Sequence, residues 1–278
     1  LDNASVKCWG WNHYGQLGIG SNVTMGDGSG EMDSLPTINL GTGRTATAIS
    51  AGYYHSCAVL DNASVKCWGR NNYGQLGIGS ASMKGRYSRE MGDNLTAADL
   101  GTGRTATAIA AGTFHSCAVL DNGVVKCWGY NYYGQLGIGN ATSMGDGSGE
   151  MGDNLAVVDL GTGRTATAIS AGDFHTCALL DNGAVKCWGY NINGQLGIGN
   201  TTTMGDGSGE MAQLTGINLG TDRTATAISA GMYHTCAKLD NGAVKCWGRN
   251  NLGQLGIDNT TYMGDDSGEM ASLPSVNL

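Results

Sequence analysis

The sequence predicts an all-β fold of β-propeller-type repeats of about 60 residues, and three observations carry that prediction. The chain repeats: Leu1, Leu60, Leu120, Leu180 and Leu239 are equivalent positions, with periods of 59, 60, 60 and 59 residues. Glycine is abundant (48 of 278 residues) while Phe and Pro are scarce (2 each), a composition of tight turns rather than helices. Each intact unit also holds a period-two stretch followed by a two-stranded hairpin. The whole of 1–278 reads as one repeat array, with units beginning near 1, 60, 120, 180 and 239. The last is incomplete and stops at Leu278, the equivalent of Leu40 and Leu219. Length is a poor guide to domain number in such an array.

Within a unit the first expected strand is "RTATAISAG" (Arg44 to Gly52), where Thr alternates with Ala and then Ile, so the inner face must be small. The second, "HSCAVL", turns through Asp61-Asn62-Ala63, or Asp-Asn-Gly in later copies, into the third, "VKCWG". Gly123, Gly183 and Gly242 suit the left-handed residue that closes a three-residue hairpin loop, whereas Ala4 and Ala63 are strained there. A turn centred on Asn62 sets 57 opposite 67 and 59 opposite 65. After the tryptophan comes "GxNxxGQLGIG" (Gly69 to Gly79), a punctuated turn before a short apolar strand. The loop "TMGDGSGEM" (Thr24 to Met32) then leads through "LPTINL" into the next unit. Four short strands per unit and negligible helix are the size and content of a propeller blade. A closed ring and an open or assembled arc both remain compatible with these repeats.

Nine cysteines lack metal-ligand spacings such as C-x-x-C, and every intact unit holds one pair ten residues apart. The expected disulfides are Cys57 with Cys67, Cys117 with Cys127, Cys177 with Cys187 and Cys236 with Cys246. Cys8 is left odd, and its partner is expected upstream of Leu1, because the chain starts in mid-repeat like an excised piece. Disulfides imply an oxidising compartment, hence secretion or the cell surface. Seven N-x-[ST] sequons, at Asn3, Asn22, Asn62, Asn94, Asn140, Asn200 and Asn259, point to the same address and to N-glycosylation. No apolar stretch is long enough for a membrane span, and no signal segment stands at Leu1.

The combination of "AGxxHSCAL", "G-x-V-x-x-WG-x-N-x-x-GQLG" and the repeat spacing resembles the repeats of the regulator of chromosome condensation family. In the third unit the matching stretches are Ala111 to Leu120 and Val124 to Gly139. That resemblance implies a β-propeller, commonly of seven blades, and covers essentially the whole chain. The cysteine pairs, the sequons and the Met-Gly-Asp loop look like those of secreted members. Family membership alone would suggest a guanine-nucleotide exchange factor. Disulfides, sequons and the lack of a basic segment weigh against it.

The net charge of −8 and the absence of a basic run argue against a nucleic-acid partner. His55, His115, His175 and His234 stand one per blade and cannot converge on a single ion, so each is expected to bond backbone within its own blade. The Asp and Glu of the "MGDGSGEM" loops offer oxygens to calcium, yet two carboxylates fall short of a full site, and a Gly-rich surface turn is the better reading. No cofactor is expected. The second unit breaks the pattern with "MKGRYSREM", and Arg86, Tyr87 and Arg89 mark a candidate contact surface. Trp9, Trp68, Trp128, Trp188 and Trp247 are expected to pack between blades, and Trp11, off the repeat, to be exposed. No catalytic constellation stands out. The sequence thus predicts a non-enzymatic extracellular scaffold, structural or adhesive, that binds a protein or a glycan. The alternative is a subunit that self-associates head to tail into a filament through its incomplete blades.

Overall fold

In a computed structural model, residues 1–277 are described; Leu278, where the last unit ends, lies outside them. Contacts divide the chain into two compact units. One comprises residues 1–121, 128–130 and 143–155; the other comprises 122–127, 131–142 and the chain from 156 onward.

Twelve strands form four three-stranded sheets, each in chain order. They are β1 (Ala46–Ala51), β2 (His55–Leu60), β3 (Val65–Gly69), β4 (Ala106–Ala111), β5 (His115–Leu120), β6 (Val125–Gly129), β7 (Ala166–Ala171), β8 (His175–Leu180), β9 (Val185–Gly189), β10 (Ala225–Ala230), β11 (His234–Leu239) and β12 (Val244–Gly248). The middle strands β2, β5 and β8 are buried along their whole length, which the small side chains of "HSCA" permit. The register pairs His55 with Gly69, Cys57 with Cys67 and Val59 with Val65. Leu60 donates to the Ser64 carbonyl (2.9 Å) and Ala63 to the Leu60 carbonyl (2.8 Å), closing the turn with Ala63 at φ 59°.

The alternating threonines of the first strand have a specific use. β1 bulges between Ala46 and Ala48, and the Thr47 hydroxyl donates to the Val59 carbonyl across the bulge (3.2 Å). Thr107, Thr167 and Thr226 repeat the contact. At the strand's start, Arg44, Arg104, Arg164 and Arg223 pair with Asp61, Asp121, Asp181 and Asp240 at 3.2–3.5 Å. These pairs are about one third exposed and each contributes little.

The fourth expected strand is reduced. The segment after the tryptophan keeps one isolated bridge, as between Gly69 and Lys84. The segment before the next unit gives one ladder bond, from Ala98 to the Val65 carbonyl (2.8 Å). In that second segment Leu95, Ala98 and Leu100 are buried. Their spacing of three then two anchors side chains in the core but is not the strict alternation of a ladder. The remaining regular structure is three four-residue helices, α1 (Glu31–Ser34), α2 (Glu210–Gln213) and α3 (Glu269–Ser272), and three 3₁₀ turns.

Repeats are joined through one side of the hairpin. Trp68 and Trp128 in the first unit, and Trp188 and Trp247 in the second, are at most 1% exposed. Their indole N–H groups donate to the carbonyls of Gln16, Gln75, Gln135 and Gln195 of the preceding repeat at 3.0–3.1 Å. Trp9 differs, at 62% exposed.

The loop of each following repeat sits against the glycine before that Gln. A Cβ on Gly74 would lie 2.2 Å from the Asp146 nitrogen, and one on Gly134 2.3 Å from that of Asp206. Only glycine tolerates that approach at φ 79° and 70°.

Candidate binding face

The histidines lie at the joints between repeats. His55 is fully buried, and its Nε2 lies 2.8 Å from the Ser116 hydroxyl of the next repeat. That hydroxyl donates its one proton to the Gln75 carbonyl (2.8 Å). His55 Nε2 must therefore carry a proton and donate it, which leaves a neutral ring with an acceptor Nδ1. His175, Thr235 and Gln195 repeat the chain in the second unit at 2.9 and 3.0 Å. Burial pushes both imidazoles down to about 3. These contacts cross repeats, where backbone partners within one blade were expected; the His-Ser/Thr dipeptide of every copy is the signal that brings them together.

Disulfides join the directly opposed Cys57 and Cys67, Cys177 and Cys187, and Cys236 and Cys246, with Cα atoms 4.0–4.1 Å apart. Cys117 and Cys127 are each disulfide-bonded. Cys8 is free, and burial pushes its thiol up. All seven sequon asparagines are exposed. Asn140, Asn200 and Asn259 each accept a bond from the N–H of the threonine two residues on (2.8 Å).

In the "MGDGSGEM" loops the glutamate faces inward. Glu31 Oε2 accepts from the N–H groups of Gly26 (2.7 Å) and Gly28 (2.8 Å), and these amides hold its carboxyl below the usual range. Glu150, Glu210 and Glu269 close their loops the same way. Among the described residues no group of three or more His, Cys, Asp and Glu side chains could hold a metal ion. Among the described residues no helix is long and apolar enough to cross a membrane.

Aromatic side chains gather around positions the repeat leaves variable. In the first unit Trp11, Tyr14, Tyr54, Phe114, Tyr73 and Tyr130 form a continuous series with centroids 4.7–5.9 Å apart. Most contacts are edge-to-face, the arrangement ring quadrupoles favour. The Arg70 guanidinium lies 5.0–5.1 Å from the rings of Tyr14, Tyr54 and Phe114. Trp11 is 50% and Tyr53 57% exposed. Both line a groove of about 730 Å³ together with Trp9 and Tyr54.

In the second unit Tyr133 meets Phe174 and Tyr190, and Tyr190 meets Tyr233, at 4.6–6.4 Å. Arg249 lies 5.6 Å over Tyr233. Burial, with Asp173 beside it, pushes the Tyr233 phenol up. Sequence reasoning singled out Trp11 but missed the series. The signal was present: aromatics recur two residues after the WG tryptophan, just before the histidine and in "NxYG".

This architecture defines a β-propeller-type repeat protein. Two family models of the regulator of chromosome condensation (RCC1) repeat match the chain, one over residues 46–75, 106–135, 166–195 and 225–254, the other over 5–59. The chain belongs to the RCC1-repeat family. It is 30% identical over 256 residues to the ultraviolet-B receptor UVR8 of Arabidopsis thaliana, covering 91% of this chain and 50% of the receptor. It is 31% identical over 214 residues to the human probable E3 ubiquitin-protein ligase HERC4, covering 77% of this chain and 18% of the ligase. The chain thus spans half or less of the length of these curated relatives.

Among solved structures, human WBSCR16 superposes with a TM-score of 0.69 at 21% identity, over 96% of this chain and 61% of that one. Yeast RCC1 (Prp20), in its complex with Kap60, gives 0.67 at 18% identity, over 98% and 57%. Both likenesses establish the fold.

Proposed function

We propose that the chain is the repeat part of a non-enzymatic extracellular scaffold, N-glycosylated on its exposed loops, that holds a protein partner on its aromatic face. The observation that carries this reading is the series of contacting rings from Trp11 to Tyr130. Partly exposed rings in contact with one another supply large, rigid apolar area at low entropic cost, the composition of interface hot spots. A protein suits the face better than a glycan does. Rings packed edge against face present few open flat surfaces, and a sugar stacks on flat ones. Among proteins of this fold, yeast RCC1 is itself seen bound to Kap60. The paired cysteines and the seven exposed sequon asparagines support an oxidising, secretory address.

Site-specific photo-cross-linking tests the proposal. A photoreactive residue in place of Tyr73, with the protein produced and presented in its native secretory setting, is expected to give a discrete adduct with one protein. The same residue at the exposed Thr37, which lies in no sequon, should give none. Equal labelling from both positions, or adducts with sugar alone, would overturn it.

A further inference from the structure

We infer that Arg70 and Arg86 form a docking site for a short acidic segment of the partner protein. The inference rests on the protein-binding reading above and adds the chemistry of what is bound.

The second repeat departs from the others at Lys84, Arg86 and Arg89, in the segment that the Gly69–Lys84 bridge joins to the residue before Arg70. Where Lys84, Arg86 and Arg89 stand, the first, third and fourth repeats have Met, Asp and Gly: Met25, Asp27 and Gly30; Met144, Asp146 and Gly149; Met204, Asp206 and Gly209. Residues 84–90 hold three basic side chains and one acidic, a charge of +2; residues 25–31 hold Asp27 and Glu31, a charge of −2. Arg70 stands where the third and fourth repeats have Tyr130 and Tyr190.

Geometry places both arginines beside the same segment. Arg70 lies 5.0 Å over the Tyr14 ring. A Cβ on the next residue, Gly15, would meet the Arg86 backbone nitrogen at 2.6 Å and its Cγ at 2.9 Å. The two arginines therefore lie beside the same segment, Tyr14–Gly15. Exposed Tyr87 lies under the guanidinium groups of Arg86 (5.7 Å) and Arg89 (5.4 Å).

Neither charge is neutralised. The four arginines that follow the repeat each have an aspartate, but among the described residues Arg70 and Arg86 have no ion-pair partner. The Nε of each is buried without a hydrogen-bond partner. The nearby Glu90 directs Oε2 to the amides of Arg86 and Tyr87 (2.9 and 3.1 Å). Planar guanidinium groups stacked on rings are pre-organised to take carboxylates in bidentate fashion. In a chain of net charge −8, a basic patch this small suits a few carboxylates flanked by apolar side chains. An extended polyanion would meet repulsion from the neighbouring acidic loops.

The test uses the whole chain with its disulfides intact and two fluorescent decapeptides, one of Glu, Asp and Tyr, the other of Gln, Asn and Tyr. Anisotropy should show binding of the acidic peptide alone, weakening as salt rises. Arg86→Asp and Arg70→Tyr should each lower affinity about tenfold or more, and Arg249→Tyr should leave it unchanged. Both site substitutions install residues that other repeats already carry there, so the fold is retained. Equal binding of both peptides, an affinity unchanged in Arg86→Asp, or no binding below about 1 mM would overturn the inference. So would displacement by inorganic phosphate or a sulfated oligosaccharide at lower concentration than the acidic peptide. A Tyr73 cross-link that persists while the acidic peptide fails would remove this inference alone and leave the protein-binding reading standing.

Discussion

His55 and His175 are neutral because burial and a hydroxyl partner that accepts their Nε2 proton leave no room for a second charge. In the unfolded chain the same rings take up protons below about pH 6.5, while in the folded chain they resist until about pH 3. Their contribution to stability is therefore complete above about pH 6.5 and is lost progressively as pH falls towards 3. By pH 4.5 each is expected to have cost about 2–3 kcal/mol of stability. Urea midpoints at pH 7 and 4.5 check this: His55→Gln should lose part of the wild-type pH dependence, and an identical dependence in the variant would refute it. A buried lysine at the joint follows a related logic. Lys66 donates to the carbonyls of Leu40 and Gly92 at 2.9 and 2.8 Å, and burial lowers its pKa.

At the scale of elements, the hairpin and the loop of the following repeat do different jobs. The disulfide closes a loop short enough that, in the chain-entropy model, it stabilises by about 2–3 kcal/mol. The loop docks on the preceding repeat through the glycine before the Gln. Gly74 and Gly103 both have left-handed φ, 79° and 68°, yet a Cβ on Gly74 would meet backbone at 2.2 Å while one on Gly103 meets nothing within 4 Å. Gly103→Ala should therefore cost only the left-handed strain, about 1 kcal/mol. Gly74→Ala should cost about 2 kcal/mol more, because the loop must move. Thermal unfolding of the two variants compares them directly, and equal destabilisation would show that the loop contact contributes nothing.

Three strands of each sheet, and the register of the hairpin pair, could be read from the sequence, because a period-two pattern marks the first strand and a three-residue turn fixes which residues of the other two face each other. The fourth segment escaped because its buried residues, such as Leu95, Ala98 and Leu100, follow no strand period. The histidine bonds escaped because their partners lie 60 or 61 residues away in the next copy, a distance that pattern-reading within one unit ignores. The aromatic face escaped for a third reason: Trp11, Arg70 and Tyr130 occupy one repeat position with different residues, so the repeat itself conceals that they share a surface.

At the scale of the molecule, one family fold is combined with cysteine pairs that pin the hairpins, exposed sequons and a face of aromatic and arginine side chains. The proposed extracellular role makes the state of those cysteines decisive. The most direct measurement is mass spectrometry of the chain isolated from its native source without reductant, alkylated before and after reduction, with and without deglycosylation. The account predicts no label on Cys57, Cys67, Cys117, Cys127, Cys177, Cys187, Cys236 or Cys246 before reduction and a label on each of the eight after, with mass lost on deglycosylation. Labels on all eight before reduction, on a chain carrying no sugar, would contradict it.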